Sequence, residues 1–150
     1  MPHEIVRLRY GPLPAQPDVS RSSRKLDLQV IFTDLPRTAA ALATARTLAR
    51  DLGARITLMA AQVVPYPLPL NRPDVPVEYT ERIMESLAAD NDAVVEIYLC
   101  RDRNEAIRRA LPPESLAIVG ARKWRWWPSW ETRLARMLQH DGRRVLVVNI

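Results

Sequence analysis

The chain has 150 residues and a formal net charge of +5, enough for one domain with a real core and too short for two. No run of about 18 apolar residues and no charged-then-apolar pattern in the first residues is present, so neither a membrane span nor a secretory signal is expected and the expected compartment is the cytoplasm. Cys100 is the single cysteine, which rules out an internal disulfide and, within a strand-like run, reads as a small buried side chain and not as a nucleophile.

The charge is unevenly spread: residues 1–25 carry +3, residues 26–100 carry −4 and residues 101–150 carry +6. Twenty of the 22 cations are arginine, which forks onto phosphate or carboxylate and stacks on aromatic rings, although most are expected to be solvated. Residues 1–25 contain Pro2, Pro12, Pro14 and Pro17 and then a Ser/Arg run, and read as a flexible arm ahead of a domain over 26–150. Ile5 to Tyr10 resists that reading, because its side chains alternate with the period of a half-buried strand able to join a sheet edge of this chain or of a partner.

Leu26 to Phe32 is the first core strand. Thr33 or Asp34 can cap the helix that follows, with Pro36 tolerated in its first turn. The alanine-rich segment Arg37 to Leu52 places Leu42, Ala45, Ala49 and Leu52 on one stripe and stops at Gly53. Arg55 to Val64 is the second strand. Pro65 to Pro76 also contains Pro67, Pro69 and Pro73, so it is neither helix nor central strand but a stiff loop. Val77 to Ala89 follows as a helix with Glu78 and Glu81 in its early turns. Ala93 to Cys100 is the third strand and Arg103 to Leu111 a short helix. Leu116 to Val119, stopping at Gly120, is the fourth strand. A last helix carries Leu134, Met137 and Leu138, and a fifth strand, Val145 to Ile150, closes the chain. Alternating strands and helices imply an α/β fold, Rossmann-like, with an open, mostly parallel five-stranded sheet and helices on both faces.

Four strings strengthen this reading: Val30-Ile31-Phe32-Thr33-Asp34, Val63-Val64-Pro65, Asp102-Arg103-Asn104-Glu105-Ala106-Ile107 and Ala117-Ile118-Val119-Gly120-Ala121-Arg122. Together with the ending His140 to Val148, and in this order, they resemble the universal stress protein family, whose fold is that of the adenine-nucleotide α-hydrolases. The resemblance covers Leu26 to Ile150 and implies the strand order 3-2-1-4-5. It also implies a homodimer, since in the family the last strand pairs with its copy; here Val145, Leu146, Val147 and Val148 would form that edge.

Family members that bind ATP resemble one another in a loop after the fourth strand with the pattern Gly, two residues, Gly, nine residues, Gly, then Ser or Thr. Such glycines bring backbone amides and a helix N-terminus to the phosphates. Gly120 matches the first of them. Lys123 stands at the second, and Glu131-Thr132 stand at the last pair, in a loop two residues shorter. Thr132 keeps the hydroxyl. By resemblance Asp34 would lie beside the nucleotide and Ala61 near adenine, while Arg122 offers a side chain to phosphate. Against this, a carboxylate at Glu131 would repel phosphate by about 4 kcal/mol at about 4 Å and an effective dielectric of about 20.

All four tryptophans fall within Lys123-Trp124-Arg125-Trp126-Trp127-Pro128-Ser129-Trp130, with neither a helical nor a strand period. This loop has three readings, in order of preference: it fills the nucleotide cleft, it contacts a protein partner, or it rests on an anionic membrane surface. Interleaved arginine and aromatic residues also suit single-stranded nucleic acid, but no known binding module accompanies them, and no specific nucleic acid is expected. His3 and His140 lack companions for a metal site. Gly120 and Asp34 also have plain structural readings, as a turn residue and a helix cap. The expected function is therefore a non-catalytic, universal-stress-protein-like stress or signalling module, homodimeric, with no cofactor and with ATP binding weak or lost. The alternative is an ATP-binding regulator of the same family, with slow hydrolysis or phosphotransfer.

Overall fold

The structure is a computed structural model and describes residues 5–10, 26–70, 77–122 and 129–150. In chain order these form β1 (Ile5–Tyr10), β2 (Asp27–Ile31), α1 (Leu35–Leu52), β3 (Arg55–Val63), α2 (Val77–Asn91), β4 (Val94–Cys100), α3 (Arg103–Ala110), β5 (Leu116–Ala121), α4 (Trp130–His140) and β6 (Arg144–Asn149). The sheet order is β1-β4-β3-β2-β5-β6. From β4 to β6 every neighbouring pair is parallel and the order is the expected one.

Among the described residues the sheet has six strands and not five. The additional one is Ile5–Tyr10, which lies in the segment read as an arm and pairs antiparallel with β4, Ile5 opposite Cys100 and Tyr10 opposite Val95. Its alternation explains this. Val6 packs against one side of the core and Ile5 against the other. Arg7 forms an ion pair with Glu96, whose second oxygen accepts a 2.6 Å bond from the Tyr98 hydroxyl. Proline and serine content averaged over the whole segment obscured a short strand preceding most of those residues.

Strand side chains alternate between two apolar layers, which is why helices cover both faces. Leu28, Val30, Leu58, Ile97 and Ile118 pack with Leu42 and Ala45 of α1 and Met84 of α2. Ile31, Met59, Tyr98 and Val119 pack with Ile107 of α3 and with Leu134 and Leu138 of α4. Helix α1 begins at Leu35, two residues before the expected start. Asp34 is its N-cap, accepting from the Arg37 backbone N–H at 2.9 Å. Leu52, expected on the buried stripe, is 58% exposed at the helix end, where Gly53 closes the helix at φ 65°.

Strand β5 continues through Gly120 to Ala121 and does not stop at the glycine. Here the first turn of α1 presses on the sheet: a Cβ at Gly120 would lie 2.3 Å from the Arg37 carbonyl oxygen and 2.7 Å from its carbon. Backbone cannot yield as a side-chain tip can, so Gly120→Ala must push α1 away from β5. Thermal unfolding followed by circular dichroism should show Gly120→Ala destabilised by about 2 kcal/mol, or roughly 4–8 °C.

Candidate functional site

Beyond the carboxyl ends of β2 and β3 a cleft of about 490 Å³ opens. Phe32, Thr33, Ala60, Ala61, Gln62 and Val63 form its sheet side. Asp34 and Arg37 contribute from the start of α1, Thr80 from α2, Arg103 and Ile107 from α3, and Trp130 and Glu131 from α4. This is where an open parallel sheet presents a ligand site.

Charges in the cleft are organised by Arg37. Its guanidinium Nη1 lies 2.7 Å from Asp34 Oδ2 and 2.8 Å from Glu131 Oε1. Glu131 is only 7% exposed, and its position in the first turn of α4 adds the favourable end of the helix dipole to the Arg37 contact. The α4 N-terminus is further closed by Ser129, whose Oγ accepts from the Thr132 backbone N–H at 3.3 Å and meets the Thr132 hydroxyl at 3.1 Å. Across the cleft, the Arg103 guanidinium stacks 3.6 Å from the centre of the Trp130 ring.

The residues singled out by sequence are thus distributed as follows. Asp34, Ala61, Trp130 and Glu131 share the cleft wall. Gly120 instead supports the close approach of Arg37. Arg122 is exposed just past β5, and the Thr132 hydroxyl is turned to Ser129. Lys123, Trp124, Arg125, Trp126 and Trp127 lie outside the described residues. Val145 to Val148 are half-buried in β6, which among the described residues pairs only with β5. Sequence reasoning missed Arg37, Arg103, Thr33 and Gln62 as wall residues. The first two had a signal, since each stands in the opening turn of a helix that follows a parallel strand.

Cys100 is buried with its Sγ 3.6 Å from the Gln62 carbonyl oxygen. Burial, reinforced by Asp102, pushes its thiol up to about 11, the behaviour of a packing residue. Among the described residues no three His, Cys, Asp or Glu side chains gather so as to hold a metal ion, and no helix is long and apolar enough to cross a membrane.

A doubly wound parallel sheet with its cleft at the strand ends defines the Rossmann-like class of α/β proteins. Within it, the structure is similar to the crystal structure of a protein from the universal stress protein family of Burkholderia pseudomallei, with a TM-score of 0.58 and 20% identity over 85% of this chain and 98% of that one. The fold is therefore that of a universal stress protein. No family profile matches the sequence, and no curated protein matches it either.

Removing one partner of a buried ion pair leaves the other charge stranded, whereas removing both relieves it. Arg37→Met should accordingly lose about 3 kcal/mol of stability, and Arg37→Met with Glu131→Gln should regain most of it. Urea unfolding of the wild type, the two single variants and the double variant measures the coupling.

Proposed function

We propose that this protein is a non-catalytic stress or signalling module of the universal stress protein type, working in the cytoplasm as a homodimer through protein contacts, without tight ATP binding. The observation that carries the reading is the buried Glu131 carboxylate in the first turn of α4, paired to Arg37. By the resemblance, this is the place where a glycine would let phosphates reach the helix N-terminus. A carboxylate already takes that position and engages the nearby guanidinium. Incoming phosphates would have to break the pair and leave Glu131 buried beside more negative charge, at a cost of about 3–5 kcal/mol. Converted to affinity, that is a loss of more than a hundredfold.

Asp34 and Ala61 on the cleft wall favour the second reading, an ATP-binding regulator of the same fold. Tryptophan fluorescence separates the two, because Trp130 stands in the cleft. Titration with ATP, ADP and AMP is expected to give no saturable change up to millimolar nucleotide; a micromolar response would establish the regulator instead.

The homodimer is supported by the difference between the two outer strands. β1 carries Arg7 on the outer strand, paired to Glu96, and a charged side chain on an edge strand opposes further pairing. β6 offers the unbroken apolar run Val145 to Val148. Leu146 and Val148 pack on one core layer and Val145 on the other, while Val147 belongs to neither. Val147→Lys should therefore spare the fold and convert the dimer to a monomer in sedimentation velocity at micromolar protein. A wild type that already sediments as a monomer would sink the dimer.

A further inference from the structure

Helices α2 and α4 cover opposite sides of the sheet, α2 through Met84 and Ala88 and α4 through Leu134 and Leu138. Their outward faces differ in charge. On α4, Arg133, Arg136 and His140 are exposed at positions i, i+3 and i+7, which on a helix is one stripe, turned away from the buried Leu134 and Leu138. The single acid of α4, Glu131, is buried and already paired to Arg37, so no acid of this helix offsets the stripe. By sequence, the segment 123–128 leading into α4 adds Lys123 and Arg125 and no acid.

The C-terminal half of α2 is the acidic counterpart. Glu85 and Ala89 are exposed one turn apart, and Asp90 and Asp92 are exposed where the helix ends. No base stands in the last turn, and acids at the negative end of a helix dipole are disfavoured. They stay there at a cost that an outside cation would remove. Arg82 precedes Glu85 by three residues, and Arg46 and Arg50 lie on the neighbouring α1. None of these arginines forms an ion pair with the three acids among the described residues.

The two faces cannot meet within one copy, because the sheet lies between them. Between copies they match in length: Glu85 to Asp92 and Arg133 to His140 each span seven residues, about 10 Å of helix. The small side chain of Ala89 lets a facing helix come close. We infer that the basic face of α4 in one copy docks on the acidic C-terminal half of α2 in a second copy. This head-to-tail contact is separate from the β6 edge and links copies whether or not they are joined there. A second copy is the partner because it carries an acidic surface of the right length at the same concentration as the basic one. Exposed charges of this kind set partner choice more than affinity, so the contact is weak and salt-sensitive.

Static light scattering on the full chain tests this, with Val147→Lys in every sample so that the β6 edge does not contribute. Association is expected at about 20 mM salt and its loss at about 0.5 M. Arg133→Glu with Arg136→Glu should weaken it more than about tenfold, and so should Glu85→Lys with Asp92→Asn. Asparagine is chosen because position 92 takes φ 54°, which it tolerates. Each of these variants lacks one half of the contact and keeps the other, so an equimolar mixture should associate where neither does alone. A protein that stays monomeric at low salt up to millimolar concentration overturns the inference, as does association that either variant leaves unchanged. Both variants should keep the parent's melting temperature, and a mixture that still fails to associate overturns it too. Binding of phosphatidylserine vesicles by a monomeric parent, lost in the α4 variant, would assign the basic face to a membrane surface instead.

Discussion

Arg37 is held from both ends, and much of the molecule depends on that. Its carbonyl oxygen lies where β5 can offer only a hydrogen in place of a side chain, and its guanidinium joins carboxylates from the starts of two helices. One residue thereby fixes the first turn of α1 against β5 and against α4. Because interiors are close-packed, such a three-way contact transmits any displacement to all three elements. The shape of the cleft follows from it, as does the charge balance inside.

The same economy governs the two sides of the sheet. An open sheet leaves two rows of unpaired backbone groups, and each invites another strand. At one side the chain supplies its own sixth strand, held by the Arg7 and Glu96 ion pair and the Tyr98 hydroxyl. At the other side β6 is left apolar. On the proposed reading, that asymmetry would direct strand association to the β6 edge and favour a closed pair over an open-ended array.

Much of the architecture was legible because it depends on local periodicity. The strand runs at Leu28 to Ile31, Val95 to Cys100 and Leu116 to Val119, and the amphipathic helices between them, announce themselves within a few residues. Even the strand at Ile5 to Tyr10 showed its period, although composition argued against it. The site was legible only in part, since its parts meet across the fold. Glu131 stood out because a carboxylate is a misfit at a phosphate-binding position. Arg37, its partner 94 residues away, could not be chosen from twenty arginines. Gly120 could be identified but not interpreted, since a close approach by another backbone leaves no trace in the glycine's own neighbourhood. Gln62 at the end of a strand reads as an ordinary solvent-facing polar residue, and only burial reveals its amide oxygen as an orphan.

Among the described residues β1 pairs with β4 alone, and Arg7 and Glu96 are separated by 89 residues. During synthesis β1 emerges well ahead of β4 and stays without that partner until Cys100 has left the ribosome. A chain growing at roughly 5–20 residues per second therefore carries that strand unpaired for several seconds. A charged side chain such as Arg7 on such a strand works against pairing with a wrong edge while its own is still being made.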